Sequence, residues 1–140
     1  MGGKFFEFIV EFTSQVTKIL NKAPDKISNR KYLISLDPLL SKIHDTLKKY
    51  PRIIIANNFE YAAEEESLTK KKFLFWLIHR TLWLKHQSFP EDLQENIHLN
   101  CDKNIGLIFE TLAQNDPSLF KEILRHTLIV LQGKAVFFMF

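Results

Sequence analysis

The stretch Phe73–Leu84, FLFWLIHRTLWL, is apolar nearly all the way round and carries both tryptophans of the chain. A helix with that pattern has no solvent face, so it belongs at the centre of a core or against a partner. The segments on either side read as amphipathic helices able to wrap it. The expected fold is therefore all-α: one domain over residues 1–140, a helical bundle or short α-solenoid of five to seven helices around this central apolar helix.

Working outward, residues Lys4–Lys22 place Phe5, Phe8, Ile9, Phe12, Val16, Ile19 and Leu20 at helical spacing. Pro24, which lacks an amide donor and restricts the residue before it, ends that helix. Asp37-Pro38 reads as a helix start, because Asp accepts from an orphan amide and Pro fits the first turn. Leu39, Leu40, Ile43, Leu47 and Tyr50 follow as a stripe, closed by Pro51. The preceding KYLISL reads equally as a short helix or an irregular lead-in. Arg52–Asn58 is strand-like, but a lone strand is unstable and the segment is expected to open a buried helix.

Glu60 to about His86 is expected as a single helix, with Glu66 and Lys70 in the favourable acid-first i,i+4 order. Tyr61, Leu68, Phe75 and Leu82, seven apart, would form one seam along it. Ser88-Phe89-Pro90 opens a short helix through Leu99, and Asp102 or Asn104 caps another carrying Ile105, Ile108, Phe109 and Leu112. A second Asp-Pro start, Asp116-Pro117, leads into Phe120, Ile123, Leu124, Leu128 and Leu131, with Gly133 as a C-terminal stop.

DPLLSKIHDTL from Asp37 echoes DPSLFKEILRHTL from Asp116 if a gap of two is allowed, a likeness that capping chemistry alone can generate. Residues 104–133, a shorter helix, a tight Asn-Asp-Pro turn and a longer apolar helix, resemble a helical-hairpin repeat of the HEAT or armadillo type. The resemblance implies a stacked helical scaffold that binds other proteins.

The totals fit a single globular domain, with 46% apolar and 25% charged residues. The net charge is +3, but 16 acidic residues are interspersed with 19 basic ones, which argues for a mixed solvated surface and against nucleic acid. The single cysteine, Cys101, cannot form an intramolecular disulfide, and intracellular location, cytoplasmic or nuclear, is the expectation. The N-terminal apolar run is interrupted by Glu7 and Glu11 and lacks a cleavage site for a signal peptide. The longest apolar run is too short to span a bilayer. Gly2 precedes Phe6 where a myristoylation motif wants Ser or Thr.

Chemistry-bearing patterns are sparse. His98, Cys101 and Asp102 offer half a zinc site with no second pair, and Cys101 has no identifiable base. His79 and His86, seven apart, could share a face as a proton switch, with core-edge polar tips as the alternative. His44 and His126 read as surface positions. The carboxylate pairs Glu7/Glu11 and Glu91/Glu95 fall on polar faces. Lys70–Lys72 before Phe73, and Lys48-Lys49-Tyr50 before Arg52, pair cations with aromatics but look like ordinary polar faces. No phosphate or dinucleotide loop is present.

These readings point to a non-enzymatic helical protein–protein interaction module or scaffold piece, without cofactor, metal or catalytic residues. Surplus apolar surface at the two ends marks Phe5, Phe6, Phe8, Phe137, Phe138 and Phe140 as partner-binding, for a protein partner or self-association. The alternatives are a peripheral membrane protein anchored by its aromatic N-terminal helix, and an enzyme whose site is not readable from sequence.

Overall fold

The computed structural model describes residues 3–55, 60–63 and 66–132. Among the described residues seven helices run in the order α1 (Gly3–Leu20), α2 (Ala23–Lys26), α3 (Arg30–Lys49), α4 (Arg52–Ile55), α5 (Lys70–Lys85), α6 (Glu91–Asn115) and α7 (Pro117–Gln132). The fold is all-α. Its sole β structure among the described residues is a hairpin between α4 and α5 in the chain, β1 (Glu60–Ala63) paired antiparallel with β2 (Glu66–Thr69), with β1 against α1.

The periodicity of α1 translates directly into burial of Ile9, Phe12, Val16 and Leu20 on one face. Thr13 and Thr17 share that face, and their hydroxyls donate to the carbonyls of Ile9 at 2.7 Å and Thr13 at 2.9 Å. Bonding back to the preceding turn is what lets a hydroxyl enter an apolar interface.

Three boundaries differ from the sequence expectation. Helix α3 begins at Arg30, where the Asn29 side chain accepts from the Tyr32 amide at 3.1 Å, so KYLISL is helical and Asp37-Pro38 lies inside the helix. Pro38 forfeits the bond to the carbonyl of Ile34, but Leu33, Leu36, Leu40, Ile43 and Leu47 all bury along one face and carry the helix through. Asp37 instead accepts from Asn100 Nδ2 at 2.5 Å.

The long helix expected from Glu60 is replaced by the hairpin and a later start. Thr69 caps α5, its hydroxyl accepting from the Lys72 amide at 3.3 Å. Tyr61 and Leu68, expected on one helical seam, are direct partners across the hairpin. The Arg52–Asn58 segment does open as a helix, but α4 is a single turn with Ile53 and Ile54 buried, and residues 56–58 lie outside the described ones.

The two short helices expected between Pro90 and Asn115 are one continuous α6. Asp102 and Asn104, the anticipated caps, are taken up by tertiary partners. Asp102 pairs with Lys85 at 2.5 Å, and buried Asn104 donates to the Leu40 carbonyl at 3.0 Å. The second Asp-Pro behaves as expected, with Asp116 Oδ1 accepting from the Leu119 amide at 3.3 Å just before α7.

Four of the helices lie in two rows. In the first, α3 and α6 are parallel and in register: Arg30 bonds Asp92, Asp37 bonds Asn100 and Leu40 bonds Asn104, at sequence separations of 62, 63 and 64. In the second, α5 and α7 are parallel, tied by Lys70–Asp116 at 3.8 Å, by Lys71–Glu122, and by the His126 ring against Phe75. Short turns make α5 antiparallel to α6 and α6 antiparallel to α7. Helix α5 is enclosed as its composition demands, with Phe73, Leu74, Leu77, Ile78, Trp83 and Leu84 buried. The element around which the others pack is α6, which meets α3, α4, α5 and α7.

Candidate interaction surfaces

The N-terminal aromatic patch is built by the start of α1 and the end of α3. Phe8, 37% exposed, lies 5.0 Å from the Tyr50 ring and 6.1 Å from Phe12, which is buried. Half-buried Phe5 lies 5.9 Å from Tyr50. The Arg52 guanidinium sits 4.3 Å over the Phe5 ring and Lys49 lies 5.4 Å over Tyr50, so two cations cap the aromatic faces. Beside them Phe8, Glu11, Phe12, Gln15 and Lys42 line a hollow of 170 Å³.

Of the six expected partner-binding residues, the structure thus places Phe5 and Phe8 in one patch. The Phe6 side chain and Phe137, Phe138 and Phe140 lie outside the described residues. Tyr50 and Arg52 join the patch although sequence reasoning gave them other roles. Their signal was the run of cations around an aromatic, Lys48-Lys49-Tyr50-Pro51-Arg52, read there as an ordinary polar face.

A second apolar exposure lies on α7. Leu128, expected in the core stripe, is 52% exposed, and its neighbour Ile129 is 58% exposed. The buried stripe is Leu119, Ile123, Thr127 and Val130, one position out of phase with the expected one from Leu124 onward. Between α5 and α7 the stripe meets a histidine cluster. The buried His79 ring lies 5.1 Å from His126 and 6.0 Å from Phe75, and His126 lies 4.7 Å from Phe75. Burial, reinforced by the His126 charge, pushes the His79 imidazole down to about 4, so it is neutral at physiological pH. His126 is therefore an interface residue, half-buried against α5, whereas His86 is exposed at the C-cap of α5 while His79 is buried.

The half-zinc pattern does not converge. His98 Nε2 lies 3.2 Å from the Gln87 carbonyl, Asp102 is engaged by Lys85, and Cys101 is buried. Among the described residues no group of three or more His, Cys, Asp or Glu is placed to hold a metal ion. Burial, with the Asp102 charge adding to it, pushes the Cys101 thiol up to about 12, which keeps it protonated and a poor nucleophile. His98, Glu91 and Glu95 do share the wall of an open 600 Å³ hollow with Phe89, Gln94, Leu99 and Asp102.

Among the described residues no helix is long and apolar enough to cross a membrane. No family model matches the chain, and neither a curated protein nor a solved structure matches it.

Proposed function

We propose that the protein is a non-enzymatic scaffold of stacked helical hairpins that binds a protein partner through the aromatic patch of Phe5, Phe8 and Tyr50. The observation that carries the scaffold reading is the double row: α3 parallel to α6 and α5 parallel to α7, each pair cross-linked in register. Stacked hairpins of the HEAT or armadillo type generate rows of this kind, since equivalent helices of successive hairpins run side by side in the same direction. Phe6, Phe137, Phe138 and Phe140 belong to the same proposal on sequence grounds. Against an enzymatic role stand the protonated, buried Cys101 and the burial of His79 between two helices.

The test is isolation of the native complex with wild-type chain and with a Phe5→Ser, Phe8→Ser variant whose fold is verified by circular dichroism. A partner retained by the wild type and lost by the variant supports the proposal. Retention by both moves the site elsewhere.

A second reading, an interfacial membrane anchor, draws on Arg52 and Lys49 lying over the rings of the same patch. It requires sedimentation with vesicles containing phosphatidylserine that the same double substitution abolishes.

A further inference from the structure

Helix α6, the hub of the fold, also keeps one face turned outward. Leu99, Lys103, Gly106, Glu110 and Ala113 are all exposed, and they follow one another in alternating steps of four and three. That spacing averages 3.5 residues, the repeat with which one helix lays a continuous seam against another.

Gly106 sits in the middle of the seam. A Cβ placed there would meet no heavy atom within 4 Å, so the chain's own packing does not require glycine. Glycine inside a helix nevertheless costs about 1 kcal/mol relative to alanine. What the missing side chain leaves open is an approach from outside, through a groove of 530 Å³ between α3 and α6 whose walls include His44, Lys48, Lys103, Leu107 and Glu110.

The charges on the seam select the visitor. Lys103 and Glu110 are two turns apart, about 10 Å along the axis, too far to pair with each other. Among the described residues neither is in an ion pair, whereas nearby Asp102 is already held by Lys85. Lys103 lies three residues before Gly106 and Glu110 three after Leu107. Under a two-fold axis between Gly106 and Leu107, an antiparallel copy of α6 therefore sets Lys103 of each chain opposite Glu110 of the other. A parallel copy would set like against like, and a uniformly acidic partner would meet Glu110.

We propose that this face is a self-complementary interface on which a second copy of the chain packs, α6 antiparallel to α6, with Gly106 at the crossing point. The arrangement is the isologous contact of a two-fold dimer, in which each favourable pair occurs twice. It uses a different face from the aromatic patch, so either proposal can fail alone.

Sedimentation equilibrium of the full chain over a concentration series at low salt tests it. We expect a monomer–dimer equilibrium that Lys103→Glu or Glu110→Lys weakens at least about tenfold, because each reversal turns two attractive pairs into two repulsive ones. The double reversal restores opposite charges and should recover association to near wild type. Gly106→Gln should weaken association while leaving thermal stability equal or higher, and Phe5→Ser with Phe8→Ser should leave association unchanged. A chain monomeric across the series, single reversals without effect, or a double reversal that fails to recover association would each overturn the proposal.

Discussion

His79 shows what enclosure does to a single titratable side chain. Its imidazole, buried between α5 and α7 beside His126, is held at about 4, below its ordinary value of 6.5. The unfolded chain takes the proton near 6.5 while the native chain resists it, so the stability contributed is complete above pH 6.5 and is lost as pH falls towards 4. The charged and titratable groups at the same seam are His126 and the Lys70–Asp116 and Lys71–Glu122 pairs. We predict that denaturant unfolding at pH 4.5 shows a loss of roughly 2–3 kcal/mol relative to pH 7.5, and that His79→Phe flattens most of it over that window. A wild-type profile flat from pH 7.5 to 4.5 would contradict the burial of His79. Cys101 gives the complementary residue-scale prediction: buried and protonated, it should resist a thiol reagent in native buffer and react at once in denaturant.

At the scale of the element, the residues that cap helices are the ones whose roles could not be read locally. Asp, Asn and Thr bind an orphan amide when a helix begins and a neighbouring helix when it does not. Asp116 and Thr69 do the first, while Asp37, Asp102 and Asn104 do the second. Asp37 and Asp116 are each followed by proline, yet Asp37 continues a helix begun at Arg30 and is held by Asn100, 63 positions away, whereas Asp116 follows Asn115 in the turn between α6 and α7. Two consequences are measurable by thermal or denaturant unfolding. Asp116→Ala should cost on the order of 1 kcal/mol as a lost cap. Pro38→Ala should stabilise the fold by about 1 kcal/mol or more, since position 38 is exposed and a proline at this interior position removes a helical bond. Destabilisation by Pro38→Ala would mean that α3 depends on the proline geometry.

For the whole molecule, the apolar periodicities made the helical class legible, and the totally apolar stretch from Phe73 announced an enclosed helix. What they could not convey was which helix the others pack around. Helix α6 is the hub although its apolar pattern is modest: Ile97, Cys101, Ile108 and Leu112 are buried along it, and polar bonds at Asp92, Asn100 and Asn104 align it with α3. The aromatic patch was half legible for a related reason: Phe5 and Phe8 advertised themselves, but only the fold brings Tyr50 and Arg52 to them.

Asn104 is where the register of the two rows is most exposed to test. It is 1% exposed, and its amide donates to the Leu40 carbonyl while its own Oδ1 is buried without a hydrogen-bond partner among the described residues. A polar group so incompletely satisfied adds little net stability, yet it is geometrically specific: its bond forms only when α3 and α6 are aligned as they are. Asn104→Ala leaves a cavity as well as a lost bond and should cost roughly 2 kcal/mol. Asn104→Leu refills the volume without a buried polar atom and should fall within about 1 kcal/mol of wild type. If alignment is the residue's contribution, the leucine variant should keep its unfolding midpoint while amide exchange in α3 near Leu40 accelerates. Unchanged exchange there, with stability retained, would show that the apolar faces alone hold the two helices in register.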